Sequence, residues 1–219
     1  MSGVKQGQHG GWLLALHSSS EVLGVGLQPL GRPDHPPRLA AFPLARELGH
    51  ALLPSVEEVL PAQEWPHLAR LAVATGPGGF TGTRMTVAMA RALAQQLGLP
   101  LDGISSFHLI ARRLLAVEPT PRTVILTQEL PRHGLVAGLY GVASTCLGGV
   151  AELSPPRLYR TEHDLLQSLG RHAQHRAQPQ LPDDAGHLLS FSQQAAGLGV
   201  EAPWANVVPL YPTSPVEPL

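Results

Sequence analysis

Residues 68–97 read LARLAVATGPGGFTGTRMTVAMARALAQQL, a run that changes character twice. Leu71, Ala72, Val73 and Ala74 form an unbroken apolar run, as expected of a strand covered on both faces. Gly76, Pro77, Gly78 and Gly79 then break it. Beyond Phe80, Thr81 or Thr83 can cap a helix, and nothing from Arg84 to Leu97 interrupts one until Gly98 and Pro100. A strand, a glycine turn and a helix N-terminus in succession can turn backbone N–H groups and the positive end of a dipole toward an anion. This makes Gly76, Gly78, Gly79, Thr81, Gly82 and Arg84 a candidate nucleotide or phosphate turn. The usual phosphate motifs do not match: Gly76, Gly78 and Gly82 give G-x-G-x-x-x-G, and Thr83 stands where a P-loop needs Lys. A tight turn that lets helix and strand pack closely is the competing reading.

In the predicted helix, Met85, Val87, Ala88, Met89, Ala90, Ala92, Leu93, Ala94 and Leu97 spread around the whole circumference. A helix apolar on every side needs a second cover besides its sheet, either more of its own chain or another subunit. Small alanines flanked by adaptable methionines suit the close approach of a second helix. A second helical pattern runs from Leu44 to Leu60, with Pro54 expected to kink or divide it. Leu52, Val56, Val59, Met85, Ala88, Met89, Ala92 and Gln96 are therefore the candidate partner surface. A purely internal core helix is the alternative.

Composition bounds the classes. The 219 residues are 43% hydrophobic and 14% charged, with 15 Lys+Arg against 16 Asp+Glu. That balance argues against a long nucleic-acid footprint on this chain alone. A lone Cys146 fits no disulfide framework and suits a reducing compartment. The first residues lack the basic-then-apolar pattern of a secretory leader, so a cytoplasmic protein is expected. Gly134–Ala151 carries no charge, yet its five glycines and Ser-Thr-Cys centre suit buried strands rather than a membrane span.

Along the chain, 1–10 reads as a disordered tail, Trp12–His17 and Val22–Leu27 as a hairpin, and Arg38–Pro43 as a third strand. Three strands before any helix open an α/β unit with an antiparallel edge. Pro100–Ser105 reads as a strand and Ser106–Leu115 as a helix. Strands at Thr123–Thr127 and Leu135–Val142 begin a second series that echoes the first. Thr161, with Asp164 three residues on, marks a helix start. Residues 171–186 read as a polar loop, His187–Leu198 as a last helix, and Trp204–Tyr211 as an extended segment. The expected organisation is a first domain over 11–102 and a smaller one over 103–219.

The stretches LLALHSSSEVLGVGL (13–27), HALLPSVEEVL (50–60), LAVATGPGGFTGTRMTVAMARALAQQLGLPLDGISS (71–106) and PLYPTSP (209–215) together resemble the bacterial TsaB (YeaZ) family. The resemblance is specific at the glycine turn and looser in the second half. It implies an α/β fold of two tandem ribonuclease-H-like domains, of the actin, sugar kinase and Hsp70 type, with mixed sheets flanked by helices. It also implies a non-catalytic subunit that binds the catalytic subunit TsaD and supports threonylcarbamoyl transfer to adenosine in tRNA. Partners implied are TsaD, a TsaE-like ATPase, a second copy when TsaD is absent, and tRNA through the complex alone. No cofactor is expected to be tightly held, and ATP or ADP would sit at a subunit interface.

The departures from the family pattern are informative. Chains of this family begin with a strand ending in Asp, as in I-D-T-S, and here His17 stands there. A neutral imidazole is a poor partner for Mg²⁺, which prefers hard oxygen ligands. Gln128, Glu129 and Leu130 fall where the family carries D-A-R, removing a second carboxylate. Neither catalytic nor metal-binding residues are therefore expected, and an active ATP-dependent kinase or ATPase of the same fold is the alternative. Ser18, Ser19 and Ser20 beside His17 read as a capped turn rather than a nucleophile with its base. His163, His172 and His175 read as solvated.

Overall fold

The computed structural model describes residues 10–117 and 122–212. The expected tail lies outside this range but for Gly10, as does the end of the proline-rich segment beyond Pro212. The apolar run from Leu68 becomes β4 of a five-stranded sheet, whose members are β1 (Trp12–His17), β2 (Val22–Pro29), β3 (Arg38–Pro43), β4 (Leu68–Ala74) and β5 (Leu101–Ile104). Their order is β3-β2-β1-β4-β5. β1 pairs antiparallel with β2 and parallel with β4, and β4 pairs parallel with β5. The alternation along β1 divides the core: Leu14 and Leu16 face one layer of helices, Leu13 and Ala15 the other.

On the first side lie α1 (Leu48–Val59) and α2 (Phe80–Leu97). Val56 and Val87, with Ala90 and Ala94, pack there with Leu71 and Val73. On the second side lies α5 (Asp183–Gly197), whose Leu188, Leu189 and Phe191 meet Leu13, Ala15, Ala72 and Ala74. Gly24 and Gly26 let α5 come close; a Cβ at Gly26 would lie 2.9 Å from Leu189 Cδ1.

A second sheet is built of β6 (Thr123–Leu130), β7 (Gly134–Val142), β8 (Val150–Tyr159) and β9 (Ala173–Arg176), in the order β8-β7-β6-β9. β6 pairs antiparallel with β7 and parallel with β9. In each half the first strand is thus flanked by an antiparallel second and a parallel fourth, with the third outside the second. Among the described residues the second half lacks only the fifth strand. The two halves thus repeat one strand plan, as expected of tandem ribonuclease-H-like domains. α3 (Ser106–Val117) covers one face of the second sheet with Phe107, Ile110 and Ala111, and α4 (Glu162–Leu169) covers the other with Leu165 and Leu169. α3 also holds the halves together: Arg112 donates to Ser190 Oγ (2.9 Å) and to the His187 carbonyl (3.2 Å) on α5, and Arg113 Nε meets Asp184 Oδ1 at 3.0 Å. Among the described residues no helix is long and apolar enough to cross a membrane.

Several expectations are corrected. The boundary between 102 and 103 falls inside β5, and α5 from the later segment completes the first sheet, so the chain division is not a division of cores. Pro54 sits inside α1 without dividing it, because the carbonyl its missing N–H would have bonded belongs to exposed His50. α2 begins at Phe80 with Gly79 as its N-cap; neither Thr81 nor Thr83 caps it. The polar stretch 171–186 contains β9 and the first turn of α5, and Trp204–Asn206 is a 3-10 turn rather than extended chain. The capping box at Thr161 and Asp164 forms as expected, both bonds being 3.1 Å.

β4 and β5 carry a buried ion pair, Arg70 Nε–Asp102 Oδ2 at 2.7 Å and Nη2–Oδ1 at 2.8 Å, with Ser192 of α5 also donating to Asp102. Removing one buried partner strands the other charge. Asp102→Ala is expected to lower unfolding stability in urea by about 3 kcal/mol, and the double variant Arg70→Met, Asp102→Leu to restore most of it. A single variant within about 0.5 kcal/mol of the parent would show that the pair holds nothing.

Candidate functional site

The carboxyl ends of the parallel strands β1, β4 and β5 converge, the usual place for a ligand in an open α/β sheet. Backbone bonds knit them together: the Gly79 N–H donates to Ser19 O (2.7 Å), the Ser106 N–H to Gly76 O (2.7 Å) and the Thr75 N–H to Ile104 O (2.9 Å). Hydroxyls fill the space between. Ser19 Oγ lies 2.5 Å from Ser106 Oγ, and Ser18 Oγ 2.5 Å from Thr86 Oγ1. Because Thr86 donates to Gly82 O at 3.1 Å, Ser18 is the donor of that pair.

The glycines of the turn serve this closure. A Cβ on Gly78 would lie 2.3 Å from Ser19 O, and one on Gly82 2.8 Å from Ser18 O. The turn therefore presses against the β1–β2 connection, and its close approach is to its own chain. Gly76, Gly78 and Arg84 do line a cavity of about 100 Å³, together with Thr83, Gln128 and Tyr211. Thr83 is buried, and its Oγ1 has no protein partner among the described residues. Arg84 stands 4.9 Å over the Phe80 ring and 5.8 Å from that of Tyr211. Gly79 packs on Ser19 and Ser20, and Thr81 is exposed, so these two do not join the cavity. Nucleotide pockets occupy roughly 300–1,000 Å³. This cavity has room for a phosphate-sized group beneath Tyr211, not for a nucleotide.

His17 ends β1 and is wholly buried. Its Nδ1 accepts a long bond from the Ser19 N–H (3.4 Å), while Nε2 has no protein partner among the described residues. Burial lowers its pKa from 6.5 to about 4, against the opposing pull of the Asp184 carboxylate and of the backbone bond. The ring is thus neutral near pH 7. Neither ring nitrogen bonds a serine hydroxyl, so Ser18 to Ser20 and His17 do not assemble a nucleophile and base. Among the described residues no three His, Cys, Asp or Glu side chains group as metal ligands; His172 instead bonds Thr123 Oγ1 at 2.9 Å.

The proposed partner residues divide. Leu52, Val56 and Val59 point into the core and offer no partner face; the outward positions of α1 are His50, Leu53, Pro54 and Glu58. On α2, Ala88, Ala92 and Gln96 are exposed and Met85 and Met89 half-buried, recurring every three or four residues along one stripe. The flanks of that stripe are closed by α1, through Gly49 beside Met85, and by the 204–206 turn, where Arg91 stacks 5.9 Å over Trp204. Leu53, 47% exposed, extends the apolar surface and was missed because its neighbours on the helix carry the stronger period.

Comparisons with known proteins agree with this plan. A family model described as TsaD, tRNA N6-adenosine threonylcarbamoyltransferase, matches residues 42–133. Two proteins named tRNA threonylcarbamoyladenosine biosynthesis protein TsaB are similar over 103 residues each: that of Bacillus subtilis (strain 168) at 30% identity, and that of Escherichia coli (strain K12) at 31%. These matches cover 45% and 46% of this chain, and 43% and 42% of those proteins, so they span less than half the length of either relative. Two solved structures from Pseudomonas aeruginosa share the fold. One is described as an uncharacterized protein with similarity to peptidase YEAZ, and the other as YeaZ. Their TM-scores are 0.71 and 0.67, over 93% and 91% of this chain and 100% of each of theirs, at 19% identity.

Since a folded His17 holds its proton less tightly than an unfolded one, the unfolded chain binds more protons between pH 4 and 6.5. Stability is then complete above about pH 6.5 and falls as the pH drops toward 4. His108 and His187 are shifted downward by burial too and share this loss. Urea unfolding from pH 7 to pH 4 is expected to show His17→Asn losing roughly 3 kcal/mol less than the parent, and identical losses would refute a neutral buried ring. The chain is thus similar in sequence to TsaB proteins over part of its length and shares the YeaZ fold over nearly all of it.

Proposed function

We propose that this chain is the non-catalytic scaffold subunit of a tRNA threonylcarbamoyladenosine-forming complex, docking a TsaD-type catalytic subunit through the outer stripe of α2 and Leu53 of α1. The observation that carries this reading is the stripe itself: Ala88 and Ala92 lie open on the outer side of α2, with half-buried Met85 and Met89 beside them. Short side chains there let a foreign helix approach to about 8–10 Å between axes, and methionines adapt to its ridges. Similarity to the TsaB proteins over 103 residues supports the pathway. His17, buried where the family pattern has a carboxylate, supports a supporting rather than a catalytic part. When the catalytic subunit is absent, the same stripe pairs two copies of this chain. A TsaE-like ATPase joins the assembled complex, and tRNA is engaged by the complex.

Light scattering of the chain mixed with the TsaD-type subunit is expected to show a heterodimer that Ala92→Glu weakens at least about tenfold, because a carboxylate is desolvated at the contact. The circular dichroism spectrum of the variant should match the parent's. A complex that survives the change displaces the interface from α2. Isothermal titration of ATP and ADP should give no heat with the isolated chain, whose cavity at the glycine turn is only about 100 Å³, and heat only with the partner present. Mg²⁺-dependent ATP turnover by the isolated chain, lost on substitution of His17, would instead support an active kinase or ATPase.

A further inference from the structure

The charges of the chain are unevenly divided. Residues 122–176, the strands and helix of the second sheet, hold six arginines against four carboxylates, leaving nine Lys+Arg against twelve Asp+Glu elsewhere. A near-neutral total therefore conceals a basic end.

At the β6–β7 turn this excess is concentrated in an open groove of about 710 Å³ that includes Arg132, His133 and Arg160, with Glu129 as its one carboxylate. All four side chains are exposed, and among the described residues neither arginine is in an ion pair. The backbone fixes their spacing. Gly134 takes φ +122°, and a Cβ there would lie 2.2 Å from Tyr159 O and 3.1 Å from the Arg160 Cα. The hairpin turn is thus pressed onto the end of β8, which sets Arg132 and His133 beside Arg160. Leu130 lines both this groove and the cavity under Tyr211, whose lining includes the exposed Arg84.

We infer that this groove is a short RNA-backbone site, in which Arg132 and Arg160 contact successive phosphates of a structured RNA and Arg84 extends the track. The inference rests on the reading of the chain as a subunit acting on tRNA and adds a contact made by this subunit itself. Exposed guanidinium groups in water hold a single small anion weakly, but a polyanion that releases counterions along several contacts binds such a surface well. Arginine forks fit phosphate oxygens in pairs. About three contacts make a short footprint, consistent with a chain that has no overall basic excess.

The test is fluorescence anisotropy of labelled unmodified tRNA titrated with the full-length chain between about 50 and about 200 mM salt. Binding is expected to weaken with salt along a log–log slope of about −2 to −3. The double variant Arg132→Glu, Arg160→Glu should lower affinity at least about tenfold and flatten the slope by about 2. The same variant should still form the complex with the TsaD-type subunit in light scattering. Complex formation with unchanged tRNA binding overturns the groove and leaves the scaffold reading standing; no complex with the parent chain overturns the scaffold reading itself. Absence of tRNA binding by the parent also overturns the groove, as does displacement of tRNA by polyglutamate at equal charge, which would make the partner an acidic protein segment. Should the double variant fail to fold by circular dichroism, Arg160→Gln alone carries the same readout, with a slope change of about 1.

Discussion

The first sheet has two apolar faces, and hiding the second of them is the constraint on which the rest of the molecule depends. Leu13, Ala15, Ala72 and Ala74 on that face are fully buried because α5 lies across them, although α5 arises more than a hundred residues later than β4. Once α5 is drawn back to the first sheet, the second half cannot stand apart. α3 packs between the second sheet and α5, Arg113 reaches the wholly buried Asp184, and Asp102 receives both Arg70 and Ser192. Each polar contact occurs where the hydrophobic arrangement has already excluded water, so each carboxylate needs its partner.

The same enclosure shapes the ends of the parallel strands. In an open α/β sheet this is where a ligand would normally enter. Here Ser18, Ser19, Thr86 and Ser106 satisfy one another, the glycine turn seals against Ser19, and the Leu210 N–H donates to Thr75 O at 2.8 Å to bring Tyr211 over Arg84. The described groups there include hydroxyls, one neutral imidazole, the Gln128 amide and one guanidinium. Beside the closed turn a cavity of about 400 Å³ opens among Thr75, Ile104, His108, Glu152 and Phe191, and farther out lie the alanine and methionine stripe of α2 and the arginines of the second sheet.

Much of this plan could be read from residues alone, for identifiable reasons. β1 and β3 begin and end where expected because charged, glycine or proline residues punctuate them, and the strand–turn–helix from Leu68 to Leu97 announces itself by abrupt changes of composition. β9, with the sequence AQHR, lies at a sheet edge, half in water, and has no apolar face to betray it. The first turn of α5 was hidden because Asp183 and Asp184 look like loop residues until Arg113, seventy positions earlier, is known to meet the second of them. On α1 the period of Leu52, Val56 and Val59 was clear, but a period marks a buried stripe without saying whether sheet or partner buries it. The hydroxyl network at the strand ends leaves no pattern in sequence at all, since its members come from the β1–β2 turn, α2 and α3.

The late arrival of α5 also matters while the chain is being made. At about 5–20 residues per second, some 120 residues separate the end of β4 from the end of α5, or about 6–25 seconds during which one greasy side of a nearly finished sheet faces the cell. Nascent chains of this protein are thus exposed to sticking and to chaperone capture over a defined window, which closes when residue 197 clears the ribosome tunnel.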